Sequence, residues 1–255
     1  MQIILAVILF SLMLIIGGDR GATSFISLCG NCIILGITVF LMYTGFNYIV
    51  VTIIGCLLIS ILTIFYPNGI NKKSMASFLS VLIVLTILFF GTFVVEQGLK
   101  TKGFSIEQQM EDSMSGLLTD VNINMYRIVI SMIMMSLMGA VLDASVSIAS
   151  SVYEVYEHNP HLGKIELFFS GLRIGRDIIG TTINTLFFAY LGESMMLLIR
   201  FHIEGYSFGN IINSKSFCQE FVRIIFSGAS CVLIIPVTAF ILAKLLKKDD
   251  VKHLI

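Results

Sequence analysis

The sequence predicts an all-α protein: a polytopic bundle of about seven transmembrane helices that forms one membrane domain over residues 1–255. Its composition is the first reason, since 56% of the 255 residues are hydrophobic and 13% are charged, with a mean hydropathy of +0.95. An ordinary soluble domain carries about 25% charged residues. The second reason is that the apolar residues cluster in segments of about 20, the length at which a helix crosses a bilayer. These segments lie at about 1–17, 25–44, 47–66, 75–96, 127–149, 178–203 and 222–244.

The first segment, 1–17, is short for a membrane span and resembles the apolar region of a signal peptide in length. A signal peptide also has a positively charged region before that stretch and a small-residue cleavage site behind it, and neither is found here. We therefore expect a retained helix. The glycine-rich sequence GGDRGATSF at 17–25 leads into the second segment. It lacks the lysine of a phosphate-binding P-loop and does not indicate nucleotide binding.

The later segments are separated by connections of different kinds. A Pro-Asn-Gly turn at 67–69 joins the third and fourth segments into a hairpin. The stretch 97–126 is long and acidic, which predicts an extracytoplasmic loop. Residues 150–177 connect the fifth and sixth segments, Pro236 is expected to kink the last helix, and 245–255 forms a cytoplasmic tail.

The distribution of basic residues predicts the orientation. If the helices alternate in direction, most basic residues fall on one side, and an excess of Lys and Arg marks the cytoplasmic side. The basic residues on that side are Arg20, Lys72, Lys73, Lys164, Arg173, Arg176, Lys244, Lys247, Lys248 and Lys252. The expected topology places the N-terminus outside and the C-terminus on the cytoplasmic side of the lipid bilayer. Lys100, Lys102, Lys215 and Arg223 fall on the opposite side.

The fifth segment carries a carboxyl group, Asp143, in the middle of an apolar stretch. Small or polar residues share its helical face at spacings of three and four: Ser136, Gly139, Ala140 and Ser147. Such residues let a second helix approach closely, so they are predicted helix-contact positions. Asp143 itself has two interpretations. It either locks two helices together through a partner, or gains and loses a proton, because ionisable groups within spans usually serve function.

A matching face lies on the sixth segment. Gly180 and Thr181 are predicted helix-contact positions there, and Asp177 and Asn184 are candidates for proton or ion coupling. Arg176 is a further coupling candidate, although it could equally mark the membrane boundary and extend its guanidinium to the surface. We expect the fifth and sixth spans to pack together, with the amide of Asn184 bonded to the stripe around Asp143.

Several function classes find no support in the sequence. The formal net charge is zero and no basic cluster is interleaved with aromatic residues, so nucleic-acid binding is not expected. His158 and His161 lack a third metal ligand, and the pair Cys29 and Cys32 opens a membrane segment, where packing is its expected role. No catalytic constellation falls within a span, so neither an enzyme nor a bound metal or cofactor is expected.

Four sequence blocks resemble the YibE/F family of bacterial membrane proteins: GGDRGATSF, LDASVSIASSVYEV, Asn159-Pro160 and GRDIIGTTINTLFFAYLGE. Members of this family often carry an extracytoplasmic domain before the membrane part. The present chain lacks one and is therefore similar to the YibF half of a YibE–YibF pair. The resemblance implies a longer YibE-like paralogue as a partner, with a homo-oligomer as the alternative.

The same region has a more distant similarity to SecD/SecF-type transport proteins of the resistance-nodulation-division class. An aspartate late in one span, followed by the run Thr-Ile-Asn-Thr at 182–185, is the shared pattern. The arginine that precedes this run in SecF-like proteins is replaced by Thr181. By this resemblance Asp143 would couple proton flow to movement, and the protein would be the membrane subunit of a proton- or ion-coupled transport system. The alternative is a membrane scaffold for a YibE-like protein, without transport activity of its own.

Overall fold

The computed structural model describes residues 1–99 and 125–250, in which every regular element is an α-helix. This confirms the all-α prediction. The helices are α1 Gln2–Tyr43, α2 Tyr48–Asn68, α3 Lys72–Leu99, α4 Met125–His158, α5 Lys164–Glu193, α6 Met195–Ile203, α7 Phe208–Asn213 and α8 Lys215–Asp250. Most of the predicted loop 97–126, and the part of the predicted tail beyond Asp250, lie outside the described residues. Residues 245–250 continue α8.

Helix α1 reverses direction at Gly18, whose dihedral angles of φ 55° and ψ −136° are not helical. The rings of Phe10 and Phe25 lie 4.8 Å apart, centroid to centroid. In a straight helix, residues fifteen positions apart would be separated by about 22 Å. The carbonyl of Met13 also lies against Gly21, where any side chain would clash. Residues 2–17 and 19–43 are therefore two arms that fold back on each other, and only glycine adopts the turn without strain.

The hairpin of α2 and α3 closes through local capping. Asn47 accepts a hydrogen bond from the Ile49 amide at 3.2 Å and starts α2. Gly69, with φ 69°, ends it and donates its N–H to the Phe65 carbonyl at 2.9 Å. Asn71 then accepts from the Ser74 amide at 2.9 Å and starts α3. The predicted glycine turn at 67–69 is thus where the chain reverses.

Helix α4 is the centre of the bundle and packs against α2, α3, α5 and α8. Its core-facing residues Leu137, Val141 and Ile148 have no exposed surface. Helix α8 closes the other side against α3, α4 and α5. Two glycines make the α5–α8 approach close, since a side chain at Gly171 would meet Ala239 and one at Gly175 would meet Ile235. These contacts fix how α5 is rotated about its axis.

Five of the described helices are long and apolar enough to cross a membrane, and a sixth crossing is counted when α5 and α6 are taken together as one bent span. The chain is therefore an integral membrane protein. This count does not confirm the predicted seven spans, because α1, with its reversal, enters it as a single helix.

The sixth span was predicted as one helix over 178–203, with a connection before it. Instead α5 starts at Lys164 and ends at Glu193, and α6 follows after a bend of 42° at Ser194. The early start has a local cause, since the Glu166 carboxylate accepts the Gly163 N–H at 2.7 Å and caps the first turn. The connection between α4 and α5 is therefore only 159–163.

Three basic segments of the chain meet at one end of the bundle. The ammonium group of Lys247 donates to the Pro160 carbonyl at 2.8 Å and lies 5.3 Å from the ring centroid of Tyr156. That of Lys73 lies 6.0 Å from the ring of Tyr153. The start of α3, the α4–α5 connection and the end of α8 therefore share one end.

Candidate functional site

Asp143 lies near the middle of α4, is exposed, and lines a cleft with a volume of about 320 Å³. The cleft is bounded by α4, by α2 and by the second arm of α1. Its polar lining comprises Asp143, Asn31 and Thr63, and most of the remaining lining is apolar. A carboxyl group within a membrane helix usually faces a protein interior or a water-filled path, because bare hydrocarbon would not solvate its charged form.

Asn31 is the cleft residue that sequence reasoning missed. Its amide nitrogen donates to the Thr63 hydroxyl at 2.8 Å, which ties the second arm of α1 to α2. Its amide oxygen is buried and has no hydrogen-bond partner in the described chain. A signal was available, because Asn31 is an amide within the predicted span 25–44, the same criterion that singled out Asn184.

The stripe predicted for helix contacts on α4 mostly faces outward. Gly139 has nothing within 4 Å of the position where a side chain would begin, and Ser147 is exposed. Ala140 is buried, with 5% of its surface exposed. Ser136 is half-buried, and its hydroxyl donates to the Ile133 carbonyl at 2.8 Å. No other helix of the described chain fills the space at Gly139, so a contact there with a second chain stays a prediction.

The predicted face of α5 also points away from the bundle. Asp177, Gly180, Thr181 and Asn184 are all exposed, as is Arg176. No neighbouring atom lies within 4 Å of a side chain built at Gly180. The reason is the helix rotation fixed by Gly171 and Gly175, which occupy the opposite side of α5.

The expected bond between Asn184 and the stripe around Asp143 is therefore not formed. Within the described residues, no hydrogen bond joins the Asn184 amide to Asp143 or to its neighbours on the stripe. Helices α4 and α5 do pack together, but α5 makes the contact through residues outside its predicted face. The Tyr190 hydroxyl donates to the Ser136 carbonyl at 3.2 Å, and Val152 lies where a side chain at Gly171 would be. The shared face predicted for the two spans is thus replaced by a contact on the opposite side of α5.

A second polar cluster, which the sequence did not predict, joins α5 and α8 at the end of the bundle away from the lysines. The guanidinium of Arg223 contacts the carboxylates of Glu220 at 2.6 Å and Glu193 at 2.8 Å. The Ser194 hydroxyl, at the bend between α5 and α6, donates to Glu220 at 3.2 Å. The position of Arg223, opposite most other basic residues, is thereby explained, because two carboxylates neutralise it.

Tyr190 connects this cluster to the core. Its hydroxyl accepts a hydrogen bond from Ser227 at 3.1 Å while donating to the carbonyl of Ser136, so it bridges α4, α5 and α8. The guanidinium of Arg223 lies 5.0 Å from the centroid of its ring. These contacts tie α4, α5 and α8 together, which indicates a structural role.

Metal ligands do not cluster in the described part of the chain: no group of three or more His, Cys, Asp or Glu residues is placed to hold an ion. His158 and His161 are exposed on either side of the end of α4, and His158 is hydrogen-bonded to the Glu154 carbonyl at 2.9 Å. Cys29 and Cys32 are free and exposed on α1.

Comparison with known proteins gives one result. A family model described as YibE/F-like protein matches residues 5–248. No curated protein and no solved structure matches the chain. The matched range covers nearly the whole chain, including the cleft, the outward face of α5 and the cluster around Arg223.

Proposed function

Because this chain belongs to the YibE/F-like family and carries a carboxyl group in a cleft half-way along a membrane helix, we propose that it is the membrane subunit of a proton- or ion-coupled transport system. The exposed position of Asp143 at the cleft is the observation that supports this function. The ion is bound and released at this carboxylate, and the movement of α4 relative to its neighbours transmits the change.

The argument for Asp143 is energetic. A carboxylate in hydrocarbon costs at least about 3 kcal/mol, so such residues persist where they face water or a partner. Asp143 forms no ion pair or hydrogen bond within the described chain, which leaves its carboxyl group available to the cleft. The neighbouring Asn31–Thr63 pair adds polar groups at the same site.

The proposal includes the architecture. The reversal at Gly18 supports two crossings in α1, at 2–17 and 19–43, which brings the total to seven. The lysine-bearing end of the bundle is cytoplasmic by the positive-inside rule, in a bacterial cytoplasmic membrane. An aspartate on α4 followed by Thr-Ile-Asn-Thr on α5 supports a core of the SecF type.

The test is a proton-flux measurement on protein reconstituted in liposomes, alone and with a YibE-like partner. Asp143→Asn is expected to reduce the flux at least tenfold, because the amide cannot carry a proton. Abundance and melting temperature should stay normal, since no paired cation is left unmatched. Ser147→Ala, one turn away on the same face, is the matched control and should retain the flux. An Asp143→Asn protein with full flux would refute the proposal.

A scaffold that binds a longer YibE-like protein is the second candidate. The open space at Gly139, beside Asp143, favours it, because no atom lies within 4 Å of a side chain built there and a small residue lets another chain approach closely. In that case Asp143 stabilises the complex and moves no ion. Gly139→Leu would then abolish co-purification with the YibE-like protein, and no flux would be measured in any sample.

A further inference from the structure

The outward face of α5 is the feature of the bundle least suited to lipid. It carries Arg173, Asp177, Gly180, Thr181 and Asn184, all exposed and all on the side opposite Gly171 and Gly175. Neither Arg173 nor Asp177 forms an ion pair within the described chain. The amide of Asn184 has no hydrogen-bond partner there either. Arg173 lies towards the basic end of the bundle, but Asn184 lies about 16 Å further along the helix, where a partner would satisfy an amide that hydrocarbon leaves unsatisfied.

The other outward faces of the bundle differ in composition. On α2 and α3 the exposed side chains include Ile53 at 44%, Ile83 at 42% and Phe90 at 63%. Hydrocarbon covers such surfaces without cost. Helix α5, by contrast, passes the length and hydropathy criterion for a membrane span only together with α6. The difference singles out α5 as an outward face that hydrocarbon alone covers poorly.

We propose that this face binds the same face of a second copy of the chain, forming a two-fold symmetric dimer. Copies inserted in one membrane share one orientation, so a closed dimer has its axis along the membrane normal. Helix α5 then packs in parallel against its own copy, and each residue meets residues at its own depth. The face must therefore be complementary to itself.

The residues of the face meet that requirement. Asn184 has both a donor and an acceptor, so the two amides can bond to each other across the axis. Gly180 lies one turn away, and its open space allows the backbones to approach. At the basic end, Asp177 of one copy lies within about one helical turn in depth of Arg173 and Arg176 of the other, so these opposite charges can pair across the axis. Phe188, 67% exposed, adds an apolar contact one turn beyond Asn184.

The first test is disulfide cross-linking in native membranes, with Cys29 and Cys32 replaced by serine because both are exposed. Asn184→Cys is expected to give a covalent dimer on oxidation, with a yield at least fivefold above that of Ile83→Cys on the apolar face of α3. If the two yields are equal, or if Asn184→Cys links only to a larger membrane protein, the second copy is not the occupant.

The second test is co-purification of two differently tagged copies. The double variant Gly180→Leu/Asn184→Leu should reduce co-purification at least tenfold, while Thr86→Leu on the exposed side of α3 leaves it unchanged. The melting temperature of the detergent-solubilised monomer should be equal in both, because both sets of positions are exposed. Unreduced co-purification of the double variant would overturn the proposal. The cleft at Asp143 plays no part in this surface, so failure here leaves the transport proposal standing.

Discussion

Replacing Arg223 with methionine should destabilise the bundle by a predictable amount. The side chain of Arg223 is 15% exposed, and its two partners differ, since Glu220 is 29% exposed and Glu193 is 62% exposed. An exposed ion pair contributes about 0–1 kcal/mol, whereas breaking a buried one costs about 3–5 kcal/mol. The Arg223 pairs lie between these limits. We expect Arg223→Met to cost about 2 kcal/mol, chiefly by leaving the half-buried Glu220 unmatched.

A double-mutant cycle separates the two carboxylates. With Glu220→Gln and Glu193→Gln as the partner variants, the coupling to Arg223 should be about 1.5 kcal/mol for Glu220 and about 0.5 kcal/mol for Glu193. Reversible unfolding in mixed detergent micelles gives the free energies. The Glu193 coupling should also weaken as salt is raised, because that pair is the more exposed. If Arg223→Met leaves stability unchanged, or if Glu193 proves the stronger partner, the assignment of this cluster to helix locking is wrong.

Two further predictions concern helix packing and orientation. Gly175→Ala should lower stability by about 1–3 kcal/mol, because the new methyl meets Ile235. Gly180→Ala, into open space on the same helix, should leave the monomer unchanged or stabilise it by up to about 1 kcal/mol in the same unfolding assay. If Gly175→Ala and Gly180→Ala lower the free energy of unfolding equally, the rotation of α5 about its axis differs from the one described above. A cysteine replacing Asn159, beside the lysine-bearing end, should resist a membrane-impermeant thiol reagent in intact cells. Labelling of this cysteine without permeabilisation would show that the orientation is the opposite of the proposed one.

The positions of α2 and α3 could be predicted because they depend on apolar segments and capping residues that are close together in the sequence. Segments 47–66 and 75–96 correspond to α2 and α3, whose ends are set by capping residues close in sequence. The start of α5 was missed because the charged residues in 164–177 suggested a connection. Gly163 and Glu166, which form the cap, are only three residues apart, and this pair could have indicated the earlier start. The reversal at Gly18 had a signal too, in the glycines that surround it.

The candidate site could be predicted only in part. Asp143 was identified because a carboxyl group in an apolar segment is conspicuous in any context. The Arg223 cluster was not, since Arg223 and Glu193 are 30 positions apart and nothing local pairs them. The bond between Asn31 and Thr63, which are 32 positions apart, was unpredictable for the same reason. Contacts between distant segments depend on how the helices pack, and neither partner of such a contact specifies that packing by itself.

The sequence by itself determined that this chain is a helical membrane protein of the YibE/F type, and which polar residues share a helical face. Composition, segment length and a spacing of three or four are enough for those conclusions. Only the tertiary structure decided where each face points. Spacing defines positions relative to a helix axis, but the rotation about that axis is fixed by packing. On α5 the close approach of Gly171 and Gly175 to α8 turns Gly180 and Asn184 outward, away from the helix they were expected to meet.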